Sequence, residues 1–455
     1  MIKAIKGTKD LLPSDAPRWH YLESIVKNIF SNFNYKEIRT PVFEVTSLFA
    51  RSIGEETDIV GKEMYTFEDK SGTNVTLKPE MTAGVVRAFI EHSLGAQQSL
   101  NKLFYISPMF RQERPQAGRL RQFHQFGGEA IGSASPLLDG ELIQIAYDIL
   151  KALGLKDLTV KINSLGIPET RESYKNLLRE FLKDKKDKLS EDSRKRFDKN
   201  ILRIFDSKIE SDQKLLEGAP TLIQNLDEES KRDFELVKEY LTKVNIPFEV
   251  EPKLVRGLDY YTKTTFEIIS GSVGAQSALL GGGRYDLLVE KLGGKSTPAV
   301  GFAAGMERIL LACENERSFP IRENCIDIYI IRLDNNLESE VSDLASKLRR
   351  HNLKVEFDYL QRSVKAQMRE ANRMKAKITL FVGGDEYSEQ KINVKDMYSS
   401  VEQIIKIKSE ENDKIIIKDI RKFLSQVRQQ CGWMTTKGKH CKKYAQPGSK
   451  YCHWH

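Results

Sequence analysis

No apolar run in these 455 residues approaches the roughly 18 residues that a membrane-spanning helix needs. Cysteine is scarce: there are five, and three of them fall within the last 25 residues. The two left for the body, Cys313 and Cys325, make no disulfide framework, which fits a reducing compartment. The opening stretch "MIKAIKGTKDLLPSDAP" lacks the apolar segment of a secretory signal, so a cytoplasmic location is expected. Acidic residues are missing altogether from Arg421 onward, where eight Lys/Arg stand. Those eight equal the whole net charge of +8, so residues 1–420 are balanced and the basic character belongs to the tail. Such a tail suits a polyanion, or is a solvated basic end. What remains is an ordinary soluble composition, 40% hydrophobic and 30% charged, long enough for about three domains.

Periodicity organises the chain. Trp19, Leu22, Val26, Ile29 and Phe33 recur at helical spacing and predict a helix over 16–33. "YKEIRTPVFE" reads as a short strand ending at Pro41 and "NVTLK" (74–78) as another, with Pro79 at the first position of a following helix. "KLFYISPMFRQ" and "RQFHQFGGEAIG" read as strands flanking the polar "ERPQAGRL", a long hairpin. Residues 168–246 are helical in texture and highly charged, which predicts solvated helical faces. β-type sequence returns at "TTFEII" and "VGAQSALL", and "AVGFAAGMERILL" reads as a strand leading into a helix. From 326 a β-α-β-α-β series begins with "IDIYIIRL" and ends at "KITLFVGG", followed by loop and helix. It predicts a small α/β domain with a largely parallel sheet.

Chemistry concentrates in residues 110–129, "FRQERPQAGRLRQFHQFGGE". Arg111, Arg114, Arg119 and Arg121 lie along the hairpin, and alternation puts Arg121, Phe123, Gln125, Gly127 and Glu129 on one face. Arginine forks match phosphate oxygens, while amide and carboxylate suit an ammonium or an imidazole; alternatively these are charges on an exposed hairpin. "LVRGLDYYTKTTFEI" sets Arg256 and Asp259 beside Tyr260 and Tyr261. "LLGGGRYDLL" permits close backbone approach to a ligand but lacks the Lys-Ser/Thr ending of a P-loop. Arg308 follows Gly301 and Gly305. Several arginines with few metal-type clusters point to phosphate handling in the body.

In order and wording these stretches resemble class II aminoacyl-tRNA synthetases, and within them the histidyl-tRNA synthetase family, over residues 3–425. The segment ending at Pro41 is similar to motif 1, which builds the dimer interface; "FRQERP…RQFHQFGGE" is similar to motif 2 and "GFAAGMER" to motif 3. "RGLDYYT" and "AQSALLGGGRYD" resemble the histidine-binding segments of that family, and "LKPEMT" its amino-acid-binding strand end. The resemblance implies an α/β (α+β) catalytic domain over 1–325, an antiparallel sheet flanked by helices with a helical insertion at 168–246. It further implies a mainly parallel α/β anticodon-binding domain over 326–425. It implies that Glu80, Thr82 and Gln125 hold the histidine ammonium and that Glu129 and Tyr261 read the imidazole. Arg111 would bind the α-phosphate, Glu113 would lie near adenine, and Arg119 and Arg308 would grip the ATP tail. Arg256 would touch both the carboxylate and the α-phosphate, where related enzymes place a metal ion. The implied reaction activates L-histidine with ATP and Mg²⁺ and transfers it to tRNA(His), on a homodimer with no membrane association. Lys78, Met81 and Lys263 depart from the family's commoner Arg, Gly and Gly.

Residues 426–455 lie beyond the family's ordinary end. The spacing Cys-x9-Cys-x10-Cys-x2-His offers Cys431, Cys441, Cys452 and His455 as a tetrahedral zinc site, with His440 and His453 as substitutes. So short a segment needs such a staple to fold; otherwise it is a basic tail with reduced thiols. Two rival readings stand beside the synthetase: the regulatory subunit of ATP phosphoribosyltransferase, which resembles this core, and a zinc-dependent nucleic-acid-binding protein.

Overall fold

A computed structural model describes residues 2–426 except 55, 56, 58, 117, 200, 208, 255–259, 277, 320–324 and 407–412. The chain divides into two compact units, residues 1–319 and 320–455.

The first unit is built on an eight-stranded sheet. Its central six strands are antiparallel, and the edge strands Lys36–Glu37 and Phe248–Val250 each add in parallel. The predicted hairpin is there: Asn101–Phe110 pairs with Gln122–Ile131 from Asn101↔Ile131 to Phe110↔Gln122. Helix Ala16–Asn32 buries Trp19, Leu22, Val26 and Phe30. With helix Pro136–Ala152 it covers the sheet face that holds Phe104, Phe126 and Phe302. Burying this stripe of large apolar side chains, at about 25 cal/mol per Å², is the main force joining helices to sheet.

Several elements differ from expectation. The strand expected to end at Pro41 is only Lys36–Glu37; past the proline, Phe43–Val45 joins a separate three-stranded sheet with Asn74–Leu77 and Tyr65–Glu68. Pro79 does not begin a helix. Helix Thr82–Glu91 starts three residues later, because the Glu80 carboxylate accepts from the backbone N–H groups of Thr82 (2.7 Å) and Ala83 (2.9 Å). In "VGAQSALL" only the second half is strand: Gly271–Gln276 forms 3₁₀ turns and Ala278–Arg284 carries the three glycines inside the sheet. The insertion is helical, as Pro168–Leu182, Glu191–Lys199, Glu210–Leu215 and Glu228–Lys243. It is not merely solvated: Tyr174, Leu178 and Leu182, one turn apart, are buried with Leu189, Ile204 and Leu216.

In the second unit, Val355–Phe357, Ile328–Arg332 and Ile378–Val382 form the predicted parallel set. Two further strands, Lys391–Asp396 and Glu402–Lys406, extend it antiparallel where only loop was expected. Among the described residues no helix is long and apolar enough to cross a membrane.

Candidate active site

Alternation along Gln122–Ile131 sorts its side chains. Phe126 and Ala130 enter the helix-covered core, while Phe123 packs with Tyr105, Tyr260, Tyr261 and Tyr285 on the opposite side. Gln125, Gly127 and Glu129 therefore share the tyrosine-lined side. Glu129 is 0% exposed. Thr82 Oγ1 donates to its Oε1 at 2.8 Å and the Tyr285 hydroxyl to its Oε2 at 2.6 Å. Burial pushes the Glu129 carboxyl up to about 8; the Glu80 carboxylate adds to the rise and the two hydroxyl donors oppose it. Burial raises Glu80 as well, against the pull of its two backbone N–H donors and of Arg111. Two carboxyl groups are thus held in a dry pocket where a cation or an N–H donor would favour their charged forms. Among the described residues the buried Gln125 carbonyl oxygen has no partner, an acceptor open on the same side.

Room for this arrangement comes from glycine. A Cβ at Gly301, paired directly with Glu129, would lie 1.6 Å from Glu129 Oε2, and one at Gly127 would lie 2.4 Å from the Tyr105 hydroxyl. The glycines of Ala278–Arg284 also make room for protein groups: a Cβ at Gly283 would meet the Tyr261 ring at 2.9 Å.

The cations line the hairpin. Arg111 donates through Nε to the Pro79 carbonyl at 2.9 Å, and its guanidinium lies 5.4 Å from the centre of the Phe123 ring. Glu113 bridges Arg111 (3.7 Å) and Arg119 (3.3 Å). Arg308, at the start of helix Met306–Asn315, donates to the carbonyls of Gly118 (3.2 Å) and Ala278 (2.9 Å). Burial first, and then the Arg119 guanidinium, hold Arg308 below the usual arginine range. Three guanidinium groups around one carboxylate leave an excess of positive charge that a polyphosphate would neutralise.

The structure thus brings Glu80, Thr82 and Glu129 into one hydrogen-bonded chain and Arg111, Glu113, Arg119 and Arg308 into another group. The Tyr261 ring packs against Tyr260, with centroids 4.7 Å apart and the planes tilted by 52°. Arg256, Cys431, Cys441, Cys452 and His455 lie outside the described residues, as do Asp259, His440 and His453. Among the described residues no three His, Cys, Asp or Glu side chains come together as a metal cage.

Two groups were not singled out from sequence. Tyr285 closes the Glu129 pocket; its place directly after the glycine run in "GGGRYD" was the available signal. Glu307 accepts from the His124 backbone N–H (2.9 and 3.0 Å) and pairs with its Nδ1 (2.9 Å), tying the helix of Arg308 to the strand of Gln125 and Glu129. Its position beside Arg308 in "GMER" was the only hint.

An antiparallel sheet flanked by helices, with arginines on a long hairpin and a closed polar pocket beside them, is the architecture of a class II aminoacyl-tRNA synthetase. A family model described as "Histidyl-tRNA synthetase" matches residues 7–309, and one described as "Anticodon binding domain" matches 327–419. The chain belongs to the histidyl-tRNA synthetase family. It is 48% identical over 397 residues to a histidine–tRNA ligase of Halothermothrix orenii (87% of this chain, 94% of that one). It is 46% identical over 407 residues to one of Caldanaerobacter subterraneus subsp. tengcongensis (90% and 98%). The crystal structure of apo histidyl-tRNA synthetase of S. aureus superposes with a TM-score of 0.78 at 38% identity, covering 92% of this chain and 100% of that one. A Bacillus halodurans structure described as an ATP phosphoribosyltransferase regulatory subunit/histidyl-tRNA synthetase shares the fold alone, at 22% identity and a TM-score of 0.60 over 81% of this chain and 96% of that one.

Proposed function

We infer that this chain activates histidine with ATP and transfers it to tRNA(His). It is a histidine–tRNA ligase, and the observation that carries its specificity is the buried Glu129 carboxyl held between Thr82 and Tyr285. Glu80, Thr82 and Gln125 receive the α-ammonium group, while Glu129 and Tyr261 face the two imidazole nitrogens. A histidine carboxylate oxygen attacks the α-phosphorus of ATP in line, the bond to the bridging β-phosphate oxygen breaks, and pyrophosphate leaves. Arg111 holds the α-phosphate, Glu113 lies by the adenine, and Arg119 and Arg308 grip the β- and γ-phosphates. Arg256, assigned by family resemblance, spans the carboxylate and the α-phosphate. Charge neutralisation and alignment supply the rate. A ribose hydroxyl at the tRNA 3′ end then takes the acyl group and AMP departs. Mg²⁺ bound to the phosphates would offset their remaining charge.

Residues 1–325 form the catalytic domain in this reading, with the 168–246 insertion toward the acceptor arm, and 326–425 bind the anticodon. Histidine-dependent exchange of pyrophosphate into ATP tests the activity. Its absence from intact, folded protein would overturn the synthetase reading and favour the regulatory one. A cytoplasmic location goes with tRNA as substrate.

A homodimer is supported by the three-stranded sheet, whose polarity is inverted. Phe43, Val45, Tyr65 and Phe67 share one face with Val75 and Leu77, and Phe43 (56%) and Phe67 (50%) stand exposed. The opposite face carries the bonded row Thr46, Thr76 and Thr66. An apolar face turned outward needs a partner, and a second copy is the occupant we assign. Phe43→Ser with Phe67→Ser should shift the light-scattering mass from two protomers to one; an unchanged dimer overturns that assignment.

The zinc site of Cys431, Cys441, Cys452 and His455 rests on spacing alone. About one zinc per chain is expected in the intact protein and none in a version ending at residue 428; equal zinc in both removes the site.

A further inference from the structure

The backbone of Lys263 has a φ of +38°, in the left-handed region that glycine enters without cost. The conformation belongs to a bulge. In the pairing of Thr262–Ser270 with Ala278–Arg284, Gly283 lies opposite Thr265 but Arg284 lies opposite Thr262, so Lys263 and Thr264 are skipped. At the bulge, Lys263 N–H donates to the Gly166 carbonyl (2.9 Å), and its own carbonyl accepts from Leu165 N–H (2.6 Å). A lysine in such a place carries backbone strain, which something must offset.

The offset is visible in the side chain. Lys263 is buried, and its Nζ donates to Glu229 Oε1 at 2.6 Å and to Asp233 Oδ2 at 2.7 Å. These two carboxylates stand one turn apart on helix Glu228–Lys243, the last helix of the insertion. On the other side of the bend, Arg171 of helix Pro168–Leu182 donates through NH1 to the Tyr261 carbonyl at 2.8 Å. Both long helices of the insertion therefore hold the same short segment, and that segment carries Tyr261. The Tyr261 ring in turn is wedged between Tyr260 and the backbone of Gly283, so a shift of its main chain has no slack to absorb it.

We propose that Lys263 is a positioning residue that couples the docking of the helical insertion to the geometry of the histidine pocket, through Tyr261. The proposal rests on the assignment of Tyr261 to the imidazole. Moving or loosening the insertion, as when a tRNA engages it, shifts Tyr261 relative to Glu129; a seated histidine steadies the insertion by the same amount.

The test is pyrophosphate exchange without tRNA, with histidine and ATP varied separately, on the full chain. Lys263→Met, which keeps the stem and removes the charge, should raise the KM for histidine about tenfold and leave the KM for ATP within about twofold. Lys263→Arg should restore most of the loss. Asp233→Asn, on the far side of the pair and outside the pocket, should move the histidine KM in the same direction by a smaller factor. Lys263→Gly removes the strain along with the charge, so it keeps a folded variant available if Lys263→Met does not fold. It too should show the raised histidine KM. Tyr261→Phe run in parallel separates the two claims. A raised histidine KM in Tyr261→Phe with an unchanged one in Lys263→Met or Lys263→Gly overturns the coupling alone. An unchanged value in Tyr261→Phe overturns the role of Tyr261 and the coupling with it. Equal rises in both KM values, together with a lowered melting temperature, would mark Lys263 as a purely structural tie and overturn the proposal.

Discussion

Glu129→Gln should lower kcat/KM for histidine in pyrophosphate exchange by about three orders of magnitude, leaving the KM for ATP nearly unchanged. Glutamine matches the shape of glutamate but turns one of two acceptors into an N–H donor. With Thr82 and Tyr285 donating to both oxygens, a pocket built for an N–H group would then hold one donor too many. A companion pH effect follows from the carboxyl at about 8. In the empty protein at pH 7 the group is largely protonated, whereas an imidazole N–H requires the carboxylate. Histidine binding should therefore release a proton, and affinity should rise from pH 7 to about 8 and then level off. Calorimetry in buffers of different ionisation enthalpy measures that proton, and Glu129→Gln should abolish it. Stability moves the other way. Because burial raises this carboxyl above its unfolded value near 4.3, its contribution is fully present below that value and is lost as pH rises through about 8. The empty wild type should accordingly melt lower at pH 8.5 than at pH 6, and the glutamine variant should show less of that slope.

Arg111→Ala should reduce kcat for adenylate formation by about 10²–10³, with a change of less than about fivefold in the KM for histidine. The guanidinium is anchored through Nε to Pro79 and steadied over Phe123, and its one outer contact, to Glu113 at 3.7 Å, is long enough for a phosphate to displace. Arg111→Lys separates charge from geometry. Lysine restores the charge but lacks the separate nitrogens with which the guanidinium holds the Pro79 carbonyl and faces a phosphate in a fixed fork, so it should recover less than a tenth of the lost rate. Single-turnover measurement of adenylate formation distinguishes the two variants; wild-type kcat in Arg111→Ala would remove the residue from the phosphate site.

What could be read in advance follows from what repeats. The hairpin and the parallel set of the second unit carry periodicity within a few residues, and helix Ala16–Asn32 carries a 3.6-residue stripe. The start of helix Thr82–Glu91 was misplaced because proline is the stronger local signal, whereas the cap comes from Glu80, which reads as an ordinary surface residue until its carboxylate folds back. Strands Lys391–Asp396 and Glu402–Lys406 were passed over because their apolar positions are diluted by charges on the exposed face. The pocket itself joins residues far apart: Thr82 and Glu129 are 47 positions apart, Glu129 and Tyr285 156. Strand alternation and family wording both pointed to Glu129; the glycine run before Tyr285 is the one local hint of the hydroxyl that closes the pocket.

The closeness of Gly301 to Glu129 also governs how this pocket can change. A methyl group at 301 and a carboxylate at 129 cannot coexist, since the methyl would sit within bonding distance of Glu129 Oε2. Any path that alters the amino acid recognised here is therefore ordered: position 129 must shrink before position 301 can grow. Gly301→Ala alone is a dead end, and on a Glu129→Ala background the methyl would still stand 2.8 Å from the Gly128 carbonyl oxygen, so the strand backbone must give as well. Two positions 172 residues apart thus behave as one heritable unit, and the deep side of the pocket resists drift one substitution at a time.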